Sequence, residues 1–175
     1  MKHDYILETE RLILRCPSPD DAEMAFVWLS DPKVNRFMPY DLYKSVDEAR
    51  AWLTSVNTEE SDEFHFAFVR KEDNLVIGTG SIGPRKKDSP LWEFGYNLRS
   101  DCWNKGYATE AAKAMIRFAH ETFRIHEFGA NHAVDNPASG RVMEHCGLVY
   151  DHDTEYSTFD GSETFKAKAY RMHLD

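Results

Sequence analysis

The residues of this chain best placed to do chemistry lie where one apolar stretch hands over to another. Glu93-Phe94-Gly95-Tyr96-Asn97-Leu98 leads through a five-residue connection into Asn104-Lys105-Gly106-Tyr107-Ala108-Thr109, where a long helical pattern begins. A strand, a turn and a helix start in that order offer consecutive free backbone N–H groups to an anion, reinforced by the positive end of the helix. Gly106 lets a phosphate come close to the backbone, and Ala108 keeps the first turn small. The chemistry this spacing suits is the holding of a pyrophosphate. It is not the ATPase type of phosphate loop, because no Gly-Lys-Ser/Thr triplet is present, and no Gly-x-Gly-x-x-Gly points to a nicotinamide site. Taken alone, one glycine at a helix start also fits an ordinary cap.

Other reactive side chains form no such pattern. The eight histidines include no His-x-x-x-His pair, and His145-Cys146 has no second ligand pair nearby, so the reading is structural or surface histidines and no metal. Three cysteines, Cys16, Cys102 and Cys146, are an odd number in unpatterned spacing, which argues for reduced thiols. A net charge of −9 disfavours nucleic acid, whose phosphates are bound by clustered Lys and Arg. It suits a neutral or cationic guest, or merely a soluble acidic surface. With 175 residues, 42% hydrophobic and 13% aromatic, the chain can bury one substantial core, and a single domain over 1–175 is expected. No apolar run approaches the roughly 18 residues of a membrane span. The opening Met1-Lys2-His3-Asp4-Tyr5 lacks a leader pattern. A cytoplasmic protein without a membrane partner is therefore expected.

Stepping outward from the turn, the flanking sequence must supply the elements that hold it. A β-like stretch over 9–16 stops at Pro17, and Ser18-Pro19-Asp20-Asp21 opens a helix carrying Ala22, Ala25, Phe26 and Leu29. Mixed signals over 31–44 predict a short helix and a loop, after which Ser45-x-x-Glu48 starts an amphipathic helix through Trp52, Leu53 and Val56. Residues 64–70 and 75–82 read as a hairpin around Asp73-Asn74, and 92–98 as a further strand. The longest helix is predicted over 106–123, then a strand over 127–134 and a short helix opened by Asn136-Pro137 and closed by Gly147. Strands near 148–156 and 164–174 close the chain around Asp160-Gly161. This order predicts a mixed α/β sheet with helices on both faces.

The whole series resembles the GNAT superfamily of N-acetyltransferases, and within it the RimJ/RimL-like branch of ribosomal-protein N-terminal acetyltransferases. The likeness runs through Thr9-Glu10-Arg11-Leu12-Ile13-Leu14-Arg15, Asp20-Asp21-Ala22, Asp31-Pro32-x-Val34-x-Arg36-Phe37-Met38 and Ile77-Gly78. It continues through Glu93-Phe94-Gly95-Tyr96, Trp103 to Ala111, Asn136-Pro137-Ala138-Ser139 and Cys146-Gly147-Leu148. The resemblance implies an α/β fold built on a largely antiparallel twisted sheet of about six to seven strands, with a splayed pair holding acetyl-CoA. It implies that amides of Asn104, Lys105, Gly106, Tyr107, Ala108 and Thr109 hold the pyrophosphate. Leu98 and Arg99 would then pair with pantetheine, and Asn136 would contact its arm. Trp103 stands where the superfamily commonly has Gln or Arg, a change that a backbone cradle tolerates.

Amide formation needs a neutral amine, a stabilised oxyanion and a proton for the departing thiolate. Glu93 matches a glutamate proposed as general base in that branch, with pairing to a basic residue or to the substrate ammonium as its alternative. An N–H near Leu98 is the expected oxyanion donor. Many members place a tyrosine seven residues after the asparagine that corresponds to Asn136, where this chain has Met143. Ser139 takes the place of a serine implicated in the resembling branch, and capping of the helix is its alternative. Phe37, Tyr40 and Tyr43, with Trp28, are candidates either to line the acceptor pocket or to pack. The expected acceptor is a protein or peptide N-terminal amine, the alternatives being a small amine or a catalytically silent acyl-CoA sensor. The resemblance allows a monomer or a homodimer.

Overall fold

Phe64, Phe66 and Phe68 alternate along one strand with Ala67 and Val69, and the two sets enter different cores on opposite sides of one sheet. This follows from the two-residue period of a strand, so a slip of one residue would exchange the faces. The computed structural model describes residues 4–56 and 61–175. Residues 1–3, part of the segment read above for a leader pattern, lie outside them.

The chain runs β1 (Leu7–Glu8), β2 (Leu12–Arg15), α1 (Ala22–Leu29), α2 (Pro32–Asn35), α3 (Val46–Ser55), β3 (Phe64–Arg70), β4 (Leu75–Pro84) and β5 (Leu91–Leu98). It continues with α4 (Tyr107–Phe123), β6 (Glu127–Ala133), α5 (Pro137–His145), β7 (Val149–Ser157) and β8 (Thr164–His173). The described strands form one eight-stranded sheet in the order β1-β2-β3-β4-β5-β6-β8-β7. Every neighbouring pair is antiparallel except β5 and β6. The mixed α/β expectation holds. The sheet is larger than the expected six to seven strands because a short strand ahead of the predicted 9–16 stretch joins it. This strand, β1, is only two residues long and pairs Leu7 with Leu14.

Local chemistry explains the helix boundaries. The Ser18 side chain accepts the Asp20 N–H, and the Asp21 carboxylate accepts the Ser18 N–H while gripping Arg15 through two contacts of 2.8 Å. The Ser45 hydroxyl accepts the Glu48 N–H, and Glu48 reaches back to the Lys44 N–H at 2.8 Å, one residue beyond the reciprocal cap. Gly147 ends α5 with φ +96°, its N–H donating to Glu144 and that of Leu148 to Met143. Helix α4 lies in the core of Phe64, Phe66, Phe68, Phe94 and Phe128, whereas α1 and α3 cover Ala67, Val69 and Val76 on the other face. Trp28 belongs to this second core and is fully buried. Among the described residues, no helix is long and apolar enough to cross a membrane.

Candidate active site

The turn before α4 is built so that its backbone, not its side chains, meets a ligand. Asn104 at φ +59° and Gly106 at φ +82° are both left-handed, on either side of a Lys105 that is not. Alternating handedness of this kind turns successive N–H groups toward one concavity. Gly106 is the N-cap of α4, and no side chain caps the helix, so the amides of Tyr107, Ala108 and Thr109 have no intrahelical acceptor. A side chain at 106 would suffer the unfavourable φ and would press on Arg11 Nη2 at 3.2 Å. These features fit a pyrophosphate.

Arg11 and Glu110 brace the turn from below, a role that sequence reasoning missed. Arg11 Nη1 donates to the Lys105 carbonyl at 2.8 Å, Nε donates to Glu110 at 2.7 Å, and the guanidinium lies 4.3 Å over the Tyr107 ring. Glu110 also accepts from the Thr9 hydroxyl and from the Arg11 N–H. Burial opposes ionisation of Glu110, yet these donors hold its carboxyl below the ordinary value. Arg99, a predicted pantetheine partner, donates its own N–H to the Ile77 carbonyl and pairs its side chain with Asp101 at 2.9 Å. The Leu98 carbonyl is taken by the Trp103 indole at 2.9 Å.

Next to the turn the sheet opens. Strands β5 and β6 are in register only from Leu91↔Glu127 to Glu93↔Gly129, although β5 stays paired with β4 as far as Leu98. Across the resulting gap, the Tyr96 hydroxyl of β5 meets the Ser139 hydroxyl of α5 at 3.3 Å. Burial pushes the Tyr96 phenol up to about 12, its bond with Ser139 acting in the opposite direction. Asn136 occupies the N-cap of α5 without a capping side-chain bond, and its carbonyl accepts the Ser139 N–H. Helix α5 presses on β6 so closely that a Cβ on Gly140 would sit 2.6 Å from His132 Nε2. Met143 is buried at 2% exposure and belongs to the core. Burial raises the Cys146 thiol to about 11, which keeps it un-ionised and unsuited to nucleophilic attack.

Glu93 stands where the strands part. Its Oε1 lies 3.6 Å from Arg171 Nη1 and 3.8 Å from Arg85 Nε. It is thus within ion-pair distance of both but beyond a good hydrogen bond. Farther along β5, Asn97 accepts from the Thr79 hydroxyl at 2.6 Å and donates to the Tyr40 hydroxyl at 2.9 Å. The loop carrying Tyr40 crosses to the β7–β8 hairpin. There Tyr156 Oη donates to the Phe37 carbonyl at 2.7 Å, the Phe159 N–H donates to the Pro39 carbonyl, and Phe37 packs edge-on against Phe165. Of the four aromatic candidates, Trp28 is core, Tyr40 and Tyr43 pack edge-on against each other beside that core, Tyr43 also meets Trp52, and Phe37 packs on Phe165. Among the described residues, no three His, Cys, Asp or Glu side chains could hold a metal ion together.

A profile of the acetyltransferase (GNAT) domain matches residues 11–149. The chain belongs to the GNAT acetyltransferase family. An uncharacterized N-acetyltransferase, p20, of Bacillus licheniformis is 28% identical over 84% of this chain and 86% of that protein. An FsC-acetyl coenzyme A-N(2)-transacetylase of Aspergillus fumigatus is 34% identical over 91% of this chain and 71% of its own length. A GNAT acetyltransferase structure from Bacillus anthracis superposes with a TM-score of 0.84 over 97% of this chain and 98% of its own, at 21% identity. As a GNAT enzyme the protein is an acetyl-CoA-dependent N-acetyltransferase, and the turn at 104–109 fits the pyrophosphate of that donor.

Proposed function

We propose that this GNAT enzyme acetylates the α-amino group at the N-terminus of a protein or peptide and belongs to the RimJ/RimL-like branch. The observation that carries the reading is the parting of β5 from β6 at Glu93, with Ser139 facing the gap from α5. Amides of Asn104, Lys105, Gly106, Tyr107, Ala108 and Thr109 hold the pyrophosphate, while the unpaired edge of β5 at Leu98 and Arg99 and the end of α5 at Asn136 guide the pantetheine arm. Because the Arg99 N–H is spent on Ile77, ladder alternation directs the Leu98 N–H into the gap, where it can donate to the thioester carbonyl. Bound there, acetyl-CoA supplies an activated acyl carbonyl.

Glu93 accepts the proton lost by the attacking amine, directly or through water, and Ser139 donates a hydrogen bond to the departing sulfur. Two guanidinium groups already balance the Glu93 charge, so this carboxylate is poorly suited to gripping a polycation. It needs little basic strength for an α-amine, whose pKa of about 7.7 to 8.0 leaves an appreciable neutral fraction at about pH 7. A lysine-type amine near about 10.4 would demand far more. A small-molecule amine is the second reading, favoured by the likeness to the Aspergillus fumigatus transacetylase.

The test is release of free CoA thiol across a panel of N-terminal peptides, spermidine and small amino compounds. Peptides should give the highest kcat/KM. A preference for a small amine would replace the acceptor class, and no rate above hydrolysis with any amine would end the enzymatic reading.

A further inference from the structure

The α5 position from which many superfamily members present a phenol is filled here by Met143, buried in the core. A different phenol enters the same gap from the opposite wall. Tyr96 reaches across from β5, beyond the last paired position at Glu93, and its hydroxyl stands 3.3 Å from Ser139 Oγ. The Ser139 backbone is fixed by its N–H bond to the Asn136 carbonyl and by the close seat of Gly140 on His132. Its hydroxyl rotor is therefore the remaining freedom, and Tyr96 supplies its partner.

We propose that Tyr96 is a positioning residue that donates its hydroxyl proton to Ser139 Oγ and thereby aims the Ser139 O–H at the departing CoA sulfur. This inference rests on the acetyl-transfer reading of the gap. A serine in a helix can otherwise turn its hydroxyl back to a carbonyl of the preceding turn, where it stabilises nothing in the gap. With Oγ occupied as an acceptor by the phenol, the serine proton is left for the sulfur. Burial helps, because it keeps the phenol protonated, and hence a donor, well above neutral pH. In the reaction the amine nitrogen forms its bond to the acyl carbon as the carbon–sulfur bond breaks with its electron pair going to sulfur. The amine proton leaves through Glu93 to water. The thiolate is held by the Ser139 O–H until it takes a proton from water, so neither Tyr96 nor Ser139 is consumed.

Two measurements test this, and the second needs no acceptor. In steady-state kinetics with the best peptide of the panel, Tyr96→Phe should lower kcat about tenfold with the KM for acetyl-CoA unchanged. Ser139→Ala should lower kcat by about a hundredfold, and the double variant should lose no more than Ser139→Ala, because both act through one hydrogen bond. Independent losses that multiply, or a Tyr96→Phe loss confined to KM, would overturn the proposal. In the second measurement, the thiolate absorbance of enzyme-bound CoA is followed against pH. A hydroxyl aimed at sulfur favours the thiolate, so the bound thiol should ionise about one pH unit lower in the wild type than in Tyr96→Phe or Ser139→Ala. Identical titrations with tight CoA binding would sink the role of Tyr96 while leaving acetyl transfer intact. A wild-type enzyme that shifts the thiol but acetylates no amine would instead fail the functional reading alone.

Discussion

The two sides of the opened sheet are made from different materials. On the side proposed for the donor, the turn at 104–109 offers main-chain amides, and side chains such as Arg11 and Glu110 serve only to brace it. On the side proposed for the acceptor, the surroundings of the gap are side chains held by other side chains: Glu93 between Arg85 and Arg171, Asn97 between Thr79 and Tyr40. A backbone site recognises what every substrate pair of the family shares, a pyrophosphate. A side-chain site can change its guest by one substitution. The contrast explains why the donor is readable across the family while the acceptor has to be tested.

The comparison predicts that changes on each side move different constants, and the largest effect belongs to the point where the sides meet. Glu93→Gln should reduce kcat by on the order of a hundredfold and alter the shape of the pH–rate profile, with acetyl-CoA affinity unchanged. An unaltered profile would take the base role from Glu93 and leave it an ion-pair partner of the arginines. Gly106→Val comes next. The backbone at 106 has φ +82°, and a Cβ there would crowd Arg11. A β-branched residue in that conformation is strained, so calorimetry should show CoA binding about ten- to a hundredfold weaker. Unchanged affinity would mean that phosphate is held elsewhere.

The same difference in materials decides what can be read from the sequence. Gly106 is legible because a left-handed helix start is a local requirement that one residue type meets best. The strands and helices around it are legible because their periods are local too, and the hairpin of β3 and β4 follows from Asp73-Asn74, where Asn74 indeed takes φ +57°. Strand β1 is not, since two residues cannot display a period. Arg11 and Glu110, 99 positions apart, carry no signal of their meeting. Tyr96 stands within the motif, yet its hydroxyl has a role only once α5, 43 residues later, has packed against β6. By residue type Trp28 suits a pocket or a core equally, and only the placement of α1 against β4 decides for the core.

The brace beneath the cradle sharpens the donor half. Glu110→Gln keeps an oxygen for Thr9 and for the Arg11 N–H but removes the charge facing the guanidinium. Unfolding in urea should therefore be easier by about 1 to 2 kcal/mol near neutral pH. The folded-state pKa of Glu110 is depressed. Its ionic contribution is therefore present above the unfolded value of about 4.3 and is lost as the pH falls through the folded value. The gap between wild type and variant should close on acidification. A gap that persists at acid pH would show that packing, not charge, secures the turn.

The smallest effect belongs to the loop carrying Phe37 and Tyr40, the wall proposed for the acceptor. Tyr156→Phe removes the 2.7 Å bond to the Phe37 carbonyl but leaves the neighbouring tie from the Phe159 N–H to Pro39, and the aromatic contact of residue 156 with Phe165 is kept. One net hydrogen bond at a partly buried site is worth about 1 kcal/mol. The loop should thus stay in place with greater freedom, and part of the binding energy of the acceptor would go into restraining it. The expected result is an acceptor KM raised by roughly three- to tenfold, with the KM for acetyl-CoA unmoved. Because Tyr156 lies on the hairpin and the cradle at the head of α4, a rise in the acetyl-CoA constant would mean that the two sides are coupled through the sheet. The division between a backbone donor site and a side-chain acceptor site would then fail at its weakest contact.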